Sequence, residues 1–154
     1  MAGSALNSAS RPSAADAREA LLEHAARRAR EARDAYGPGI DHATILRMLT
    51  DRAVVRYPTT IRYDAAALQP GEFAHAEPQG AGPALEYCLH VHPRFADQPD
   101  LLPLLISYHL VRINYGDVAT HAEAETFGAT LLGLDVDEYY ERLCLLADGI
   151  GQES

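Results

Sequence analysis

The chain contains no lysine: all 13 basic side chains are arginine, set among 22 acidic ones for a formal charge of -9. Such a surface repels phosphate backbones, which argues against nucleic acid as a partner. The one arginine-dense stretch, Arg27 to Arg33, contains Glu31 and runs into Asp34, so it reads as a solvated helix face. Cysteine is equally scarce. Cys88 and Cys144 are the only two, too few for a disulfide framework, and both lie in apolar segments as small buried hydrophobes would. That usage fits a reducing, cytoplasmic setting. Long apolar runs are missing too: the longest, Leu101 to Ile106, is interrupted by Pro103 and falls far short of the ~20 residues a spanning helix needs. No charged start precedes an apolar run of signal-peptide length, so neither a membrane span nor an export signal is expected.

Signatures of catalysis are absent as well. No Ser, Thr or Cys stands in a nucleophile motif, and no glycine-rich phosphate loop occurs. Asp135 and Asp137 resemble a fragment of a calcium loop, but no further ligands follow at the required spacing, which leaves them a capping role.

What remains is the composition of a folded protein. At 154 residues, 47% hydrophobic and 23% charged, the chain suits one domain with a substantial core. Residues 1–12, rich in Ala, Ser and Asn without an apolar period, read as a flexible leader, and 13–150 as a single α+β domain. Ser13 and Asp16 form an N-cap pair for a helix that runs to Tyr36 and stops at Gly37-Pro38-Gly39. Its apolar face is mostly Ala with Leu21 and Leu22, a face that packs lightly or meets a partner, including a second copy of the chain. Asp41 caps a shorter helix carrying Ile45, Leu46 and Leu49.

The pattern then turns β-like: Val54–Tyr57 and Thr60–Tyr63 flank Pro58, Glu72–Ala76 follows a Pro70-Gly71 turn, and Leu85–Val91 follows the loop 78–83. The last two segments are spaced as a hairpin, and the whole predicts a small antiparallel sheet of three or four strands packed against helices. Beyond Asp100 everything reads as helix. Asp100 stands as cap with Pro103 in the first turn of a helix ending at Tyr115. Thr120 with Glu123 is a capping box for a helix to Gly133, and Asp135 with Glu138 for one to about Gly149.

The histidines are the residues most able to carry chemistry. Cys88, His90 and His92 alternate along a strand and so share one face, but strand geometry separates neighbours by roughly 7 Å and the outer two by roughly 13 Å. One ion could therefore take adjacent members only, and a His90/His92 centre would need His75 or His109 as further ligands. The bland counterpart is a strand with one polar face. His109 shares a helix face with Leu102, Leu105, Ile106 and Ile113, the setting of a core histidine whose ring nitrogens are satisfied by neighbours. Tyr108 and Arg112 stand one turn apart on the flank of that helix. A buried arginine needs an acidic partner, and Glu123, beside Phe127, is the candidate.

The succession of the strand Leu85–Val91, the helix segment Ile106-Ser107-Tyr108-His109-Leu110-Val111-Arg112 and the segment His121-Ala122-Glu123-Ala124-Glu125-Thr126-Phe127-Gly128-Ala129-Thr130-Leu131-Leu132 resembles the zincin-type ImmA/IrrE metallopeptidase family over about residues 85–134. In that family a strand precedes an HExxH helix, and a second helix of the pattern E-A-N-x-F-A-x-x-L-L supplies a third zinc ligand. The resemblance puts Glu123 at that ligand position and Tyr108 through Arg112 at the HExxH positions, where neither histidine ligand remains. Starting instead at His109 keeps one histidine but puts Leu110 at the catalytic glutamate. Zinc catalysis needs three protein ligands and a base, so the resemblance implies a degenerate scaffold without catalytic residues or a cofactor, used to bind a protein or peptide. Arg112 and Glu123 would then form a structural pair in the former site. The alternative from the histidines is a metal-dependent hydrolase holding zinc or another divalent transition metal at His90 and His92 with His75 or His109.

Overall fold

A computed structural model describes residues 13–151 of the chain, so the leader expected over 1–12 lies outside the described residues. Helix α1 (Ala14–Tyr36) opens as its sequence implies: Asp16 N–H donates to Ser13 Oγ at 3.1 Å, and Ser13 N–H to the Asp16 carboxylate at 3.2 Å. The residues it buries are Ala25, Ala29 and Ala32, small enough to let the backbone approach a neighbour closely. That neighbour is α4 (His121–Leu132), the helix it touches most. The alanine stripe is thus covered from within the chain. Helix α2 (His42–Met48) is capped by Asp41, whose Oδ1 accepts from Thr44 N–H at 2.9 Å, and it buries Ile45 and Met48.

Val54 to Tyr57, expected as a strand, form turns instead. Asp51 organises them: its Oδ1 accepts from Ala53 N–H at 2.8 Å, and its carbonyl accepts from Val54 and Val55 at 2.9 Å each. Both valines are buried nonetheless. A pair of β-branched residues signals burial as much as extension, and here a side-chain-stabilised turn delivers that burial.

The sheet has three strands, β1 (Thr59–Tyr63), β2 (Ala74–Gln79) and β3 (Glu86–Val91), in the order β1-β3-β2. β2 and β3 form the expected antiparallel hairpin, with His75 opposite His90 and Glu77 opposite Cys88. β1 runs parallel to β3, so the sheet is mixed where an antiparallel one was expected. The cause lies in residues 64–73, which carry the chain past the end of β3. Asp64 N–H donates to Val91 O at 3.1 Å and His92 N–H to Phe73 O at 2.8 Å, so β1 and β2 end up on opposite edges.

The remaining helices are α3 (Leu102–Tyr115), α4 and α5 (Val136–Gly151). Asp100 does not cap α3: it sits inside a 3-10 turn, Pro99–Leu101, that leads straight into the helix. α3 buries eight of its residues, from Leu102 to Ile113, in agreement with its nearly all-round apolar sequence. Thr120 N–H donates to Glu123 Oε1 at 2.9 Å at the start of α4, and Asp135 Oδ2 accepts from Asp137 N–H at 3.2 Å at the start of α5. One buried cluster joins Ala29 of α1, Ile45 of α2, Leu89 of β3, Leu105 of α3, Phe127 of α4 and Ile150 of α5. The architecture is α+β, a small sheet packed against helices. No helix among the described residues is long and apolar enough to cross a membrane.

Candidate ligand-binding cleft

Where the approach to β2 meets α3, the first turns of α4 and the outer side of α5, the packing leaves two contiguous hollows of about 490 and 430 Å³. They share Glu72, Ala74, Tyr108, His109 and His121. The larger also takes in Phe73, Glu125 and the α5 residues Tyr140, Leu143, Cys144 and Ala147. Volumes of this order suit a small molecule or a single side chain of a larger partner.

Tyr108 and His109 present adjacent faces of α3 to the cleft. The Tyr108 hydroxyl is hydrogen-bonded to His121 Nδ1, which ties α3 to the first turn of α4. Burial, and then the charge of Glu125, push the Tyr108 phenol up to about 12, so it stays protonated. Phe73 sets its ring edgewise to both neighbours, with centroids 6.4 Å from Tyr108 and 5.8 Å from His109. Tyr140 is raised chiefly by its hydrogen bond with Cys144, with Glu125 adding to the effect.

His109 departs from the expected core histidine. Part of its ring reaches the surface, but Nε2 is enclosed and has no hydrogen-bond partner. Burial first, then the charges of His75 and Arg112, drive its pKa down to about 3. The imidazole is therefore neutral at physiological pH. A pKa below the unfolded value of ~6.5 means that the unfolded chain binds more protons between those limits, so His109 costs stability as pH falls from 6.5 toward 3. Allowing for the partly exposed ring, about 1 kcal/mol should be lost between pH 7 and 5. Urea unfolding at the two pH values checks this: the loss should shrink in His109→Gln, and equal losses in both proteins would refute the assignment.

The other histidines do not assemble. His75 and His90 face each other across the hairpin, and His75 also acts electrostatically on His109. His90 is 6% exposed, neither of its ring nitrogens is hydrogen-bonded, and Nε2 lies 3.7 Å from Glu77 Oε1. His92 lies beyond the end of β3. Its Nδ1 accepts from Arg94 N–H at 3.1 Å and its ring packs edgewise on Phe95, so it serves as the cap of the following 3-10 turn. Among the described residues no group of three or more His, Cys, Asp or Glu converges to hold a metal ion.

The expected Arg112–Glu123 pair does not form. Arg112 points along the flank of α3 to the turn that follows it and meets Asp117 at 2.7 Å, with both side chains largely in solvent. Glu123 is fully buried and faces α1, where it receives Arg18 in addition to the Thr120 N–H and hydroxyl. The α1–α4 packing decides this outcome, because the first turn of α4 lies against the N-terminal half of α1.

Several cleft residues carried a signal that local motifs do not use. Tyr140, Cys144 and Ala147 recur at one-turn spacing on α5, and His121 and Glu125 do so on α4, each set aligned on one helix side. No family model, curated protein or solved structure matches this chain.

Proposed function

We propose that the protein is a non-catalytic binding domain whose ligand enters the cleft between β2, α3, α4 and α5. The observation that carries this reading is the pair of contiguous hollows itself, which share Glu72, Ala74, Tyr108, His109 and His121 as a common wall. They offer a concave space lined by aromatic and apolar side chains with a few polar groups, the usual make-up of a ligand site. The non-catalytic part of the reading is supported by two of the cleft's groups, Tyr108 and His109. General acid–base chemistry needs groups that titrate near the working pH, whereas here the Tyr108 phenol is pushed up to about 12 and the His109 imidazole down to about 3. A protein or peptide partner, as the sequence suggests, would engage this space through one inserted side chain. A cytoplasmic setting belongs to the same reading, supported by the free thiols of Cys88 and Cys144. The degenerate zincin-like scaffold finds no support in the positions of Arg112 and Glu123, and the proposal rests on the cleft alone.

A fragment screen by ligand-observed magnetic resonance tests the reading. Hits are expected to compete with one another at the cleft and to be lost in Ala147→Phe, which fills the larger hollow from a partly exposed helix position without touching the core. Hits that persist in this variant would move the binding site elsewhere.

A further inference from the structure

We propose that the cleft takes an organic cation on an apolar body, an amine or quaternary ammonium group, an assignment that rests on reading the cleft as the ligand site. The larger hollow is lined by two carboxylates, Glu72 and Glu125, and by no arginine. Three aromatic rings, those of Phe73, Tyr108 and Tyr140, line the same space. Rings present the negative face of their quadrupole to a cation, and the attraction grows when the site is shielded from water. Glu72 is fixed on the rim because its Oε1 accepts from Gln69 N–H at 2.7 Å. The negative charge of Glu125 adds to the rise of the Tyr108 and Tyr140 phenols. His109 is neutral and does not oppose a positive ligand.

Arg112, on the smaller hollow, is the nearest candidate to oppose this polarity, and Asp117 at 2.7 Å neutralises it. An anion placed here would meet both carboxylates, and among the described residues no arginine lines the larger hollow to receive it, so a cation is favoured on electrostatic grounds. The apolar part of the ligand follows from Leu143 and Ala147, which line the same hollow and offer only hydrocarbon.

The test titrates the full chain with benzyltrimethylammonium and with neopentylbenzene, its neutral isostere, followed by proton–nitrogen correlation spectra. The cation is expected to move signals of His109, His121, Glu125 and Cys144, and to bind about tenfold or more tightly than the isostere. Glu125→Gln should weaken the cation about tenfold and leave the isostere unchanged, and Glu72→Gln serves as an independent second variant should the first fold poorly. Equal binding of both probes at the cleft would overturn the cationic assignment while leaving the ligand site standing. Shifts away from the cleft, or none with either probe, would overturn both. A blocked lysine peptide of otherwise neutral composition supplies a third arm, in which tighter binding than benzyltrimethylammonium marks a peptide's basic side chain as the source of the cation and weaker binding marks a free amine.

Discussion

Gly128→Ala is expected to destabilise the protein by about 3 kcal/mol, although alanine is the better helix former by about 1 kcal/mol at an interior position. Gly128 lies in the middle of α4, and a β-carbon built there would overlap the hydroxyl end of the Tyr139 side chain of α5. Tyr139 cannot retreat. It is fully buried, its hydroxyl donates to Leu104 O at 2.7 Å, and it lies 3.0 Å from Ser107 Oγ on α3. The ring is thus clamped from one side by α3 and met from the other by the bare backbone of Gly128. Overpacking of this kind typically costs about 1–3 kcal/mol and more where the neighbour is held, which outweighs the propensity gain. Gly149→Ala provides the control. It too is helical, but its β-carbon would find nothing closer than 3.5 Å, so it should be neutral or stabilising by up to about 1 kcal/mol. Urea midpoints of the two variants should move in opposite directions or differ by most of the predicted amount. If Gly128→Ala proves neutral, the tight α4–α5 contact is wrong, and with it the position of Tyr140 and Cys144 in the cleft.

Capping chemistry made the helices legible because it is local. Ser13 with Asp16, Asp41, and Thr120 with Glu123 each sit within four residues of the groups they satisfy, and in each case the bond is present, whereas Asp135 accepts from Asp137 N–H while Glu138 meets Arg142, and Asp100 does not cap α3. The sheet was less legible because its decisive contact is not local. Nothing in Thr59–Tyr63 distinguishes a strand that will pair parallel with Glu86–Val91 from one that pairs antiparallel; that is decided by the path of residues 64–73. Val54 and Val55 misled for a related reason, since their burial was readable and their backbone, set by Asp51, was not. The cleft was legible only in fragments. Tyr108 and His109 stood out as polar residues on an apolar helix, but their neighbours Phe73, His121, Glu125 and Cys144 come from three other parts of the chain, and no short-range rule joins them. The Arg112–Glu123 expectation failed on the same ground: spacing brought the two helices together without saying which turn of α4 would face α3 and which would face α1.

That difference sets the second large effect. Glu123→Leu is expected to cost about 2–4 kcal/mol, combining the loss of a helix cap, commonly about 1 kcal/mol, with the loss of a fully buried ion-pair partner. Arg112→Leu should cost less than about 0.5 kcal/mol, because its side chain is 49% exposed and its partner Asp117 is 89% exposed. Arg18→Leu lies between, nearer the former. Its own side chain is 47% exposed, but its removal leaves the Glu123 carboxylate, fully buried in the intact protein, with only the Thr120 donors. Stranding that charge in the interior outweighs the loss of the arginine itself, and about 2 kcal/mol is expected. The double variant Arg18→Leu with Glu123→Leu removes the stranded charge and should cost at least about 1 kcal/mol less than the sum of the single effects. In the corresponding cycle with Arg112 the costs should add to within about 0.5 kcal/mol, as they do for residues that share no partner. Coupling in the Arg112 cycle and additivity in the Arg18 cycle would reverse the assignment of Glu123 from α1 to α3, restoring the pair that the resemblance to a metallopeptidase implied and breaking the α1–α4 cross-link.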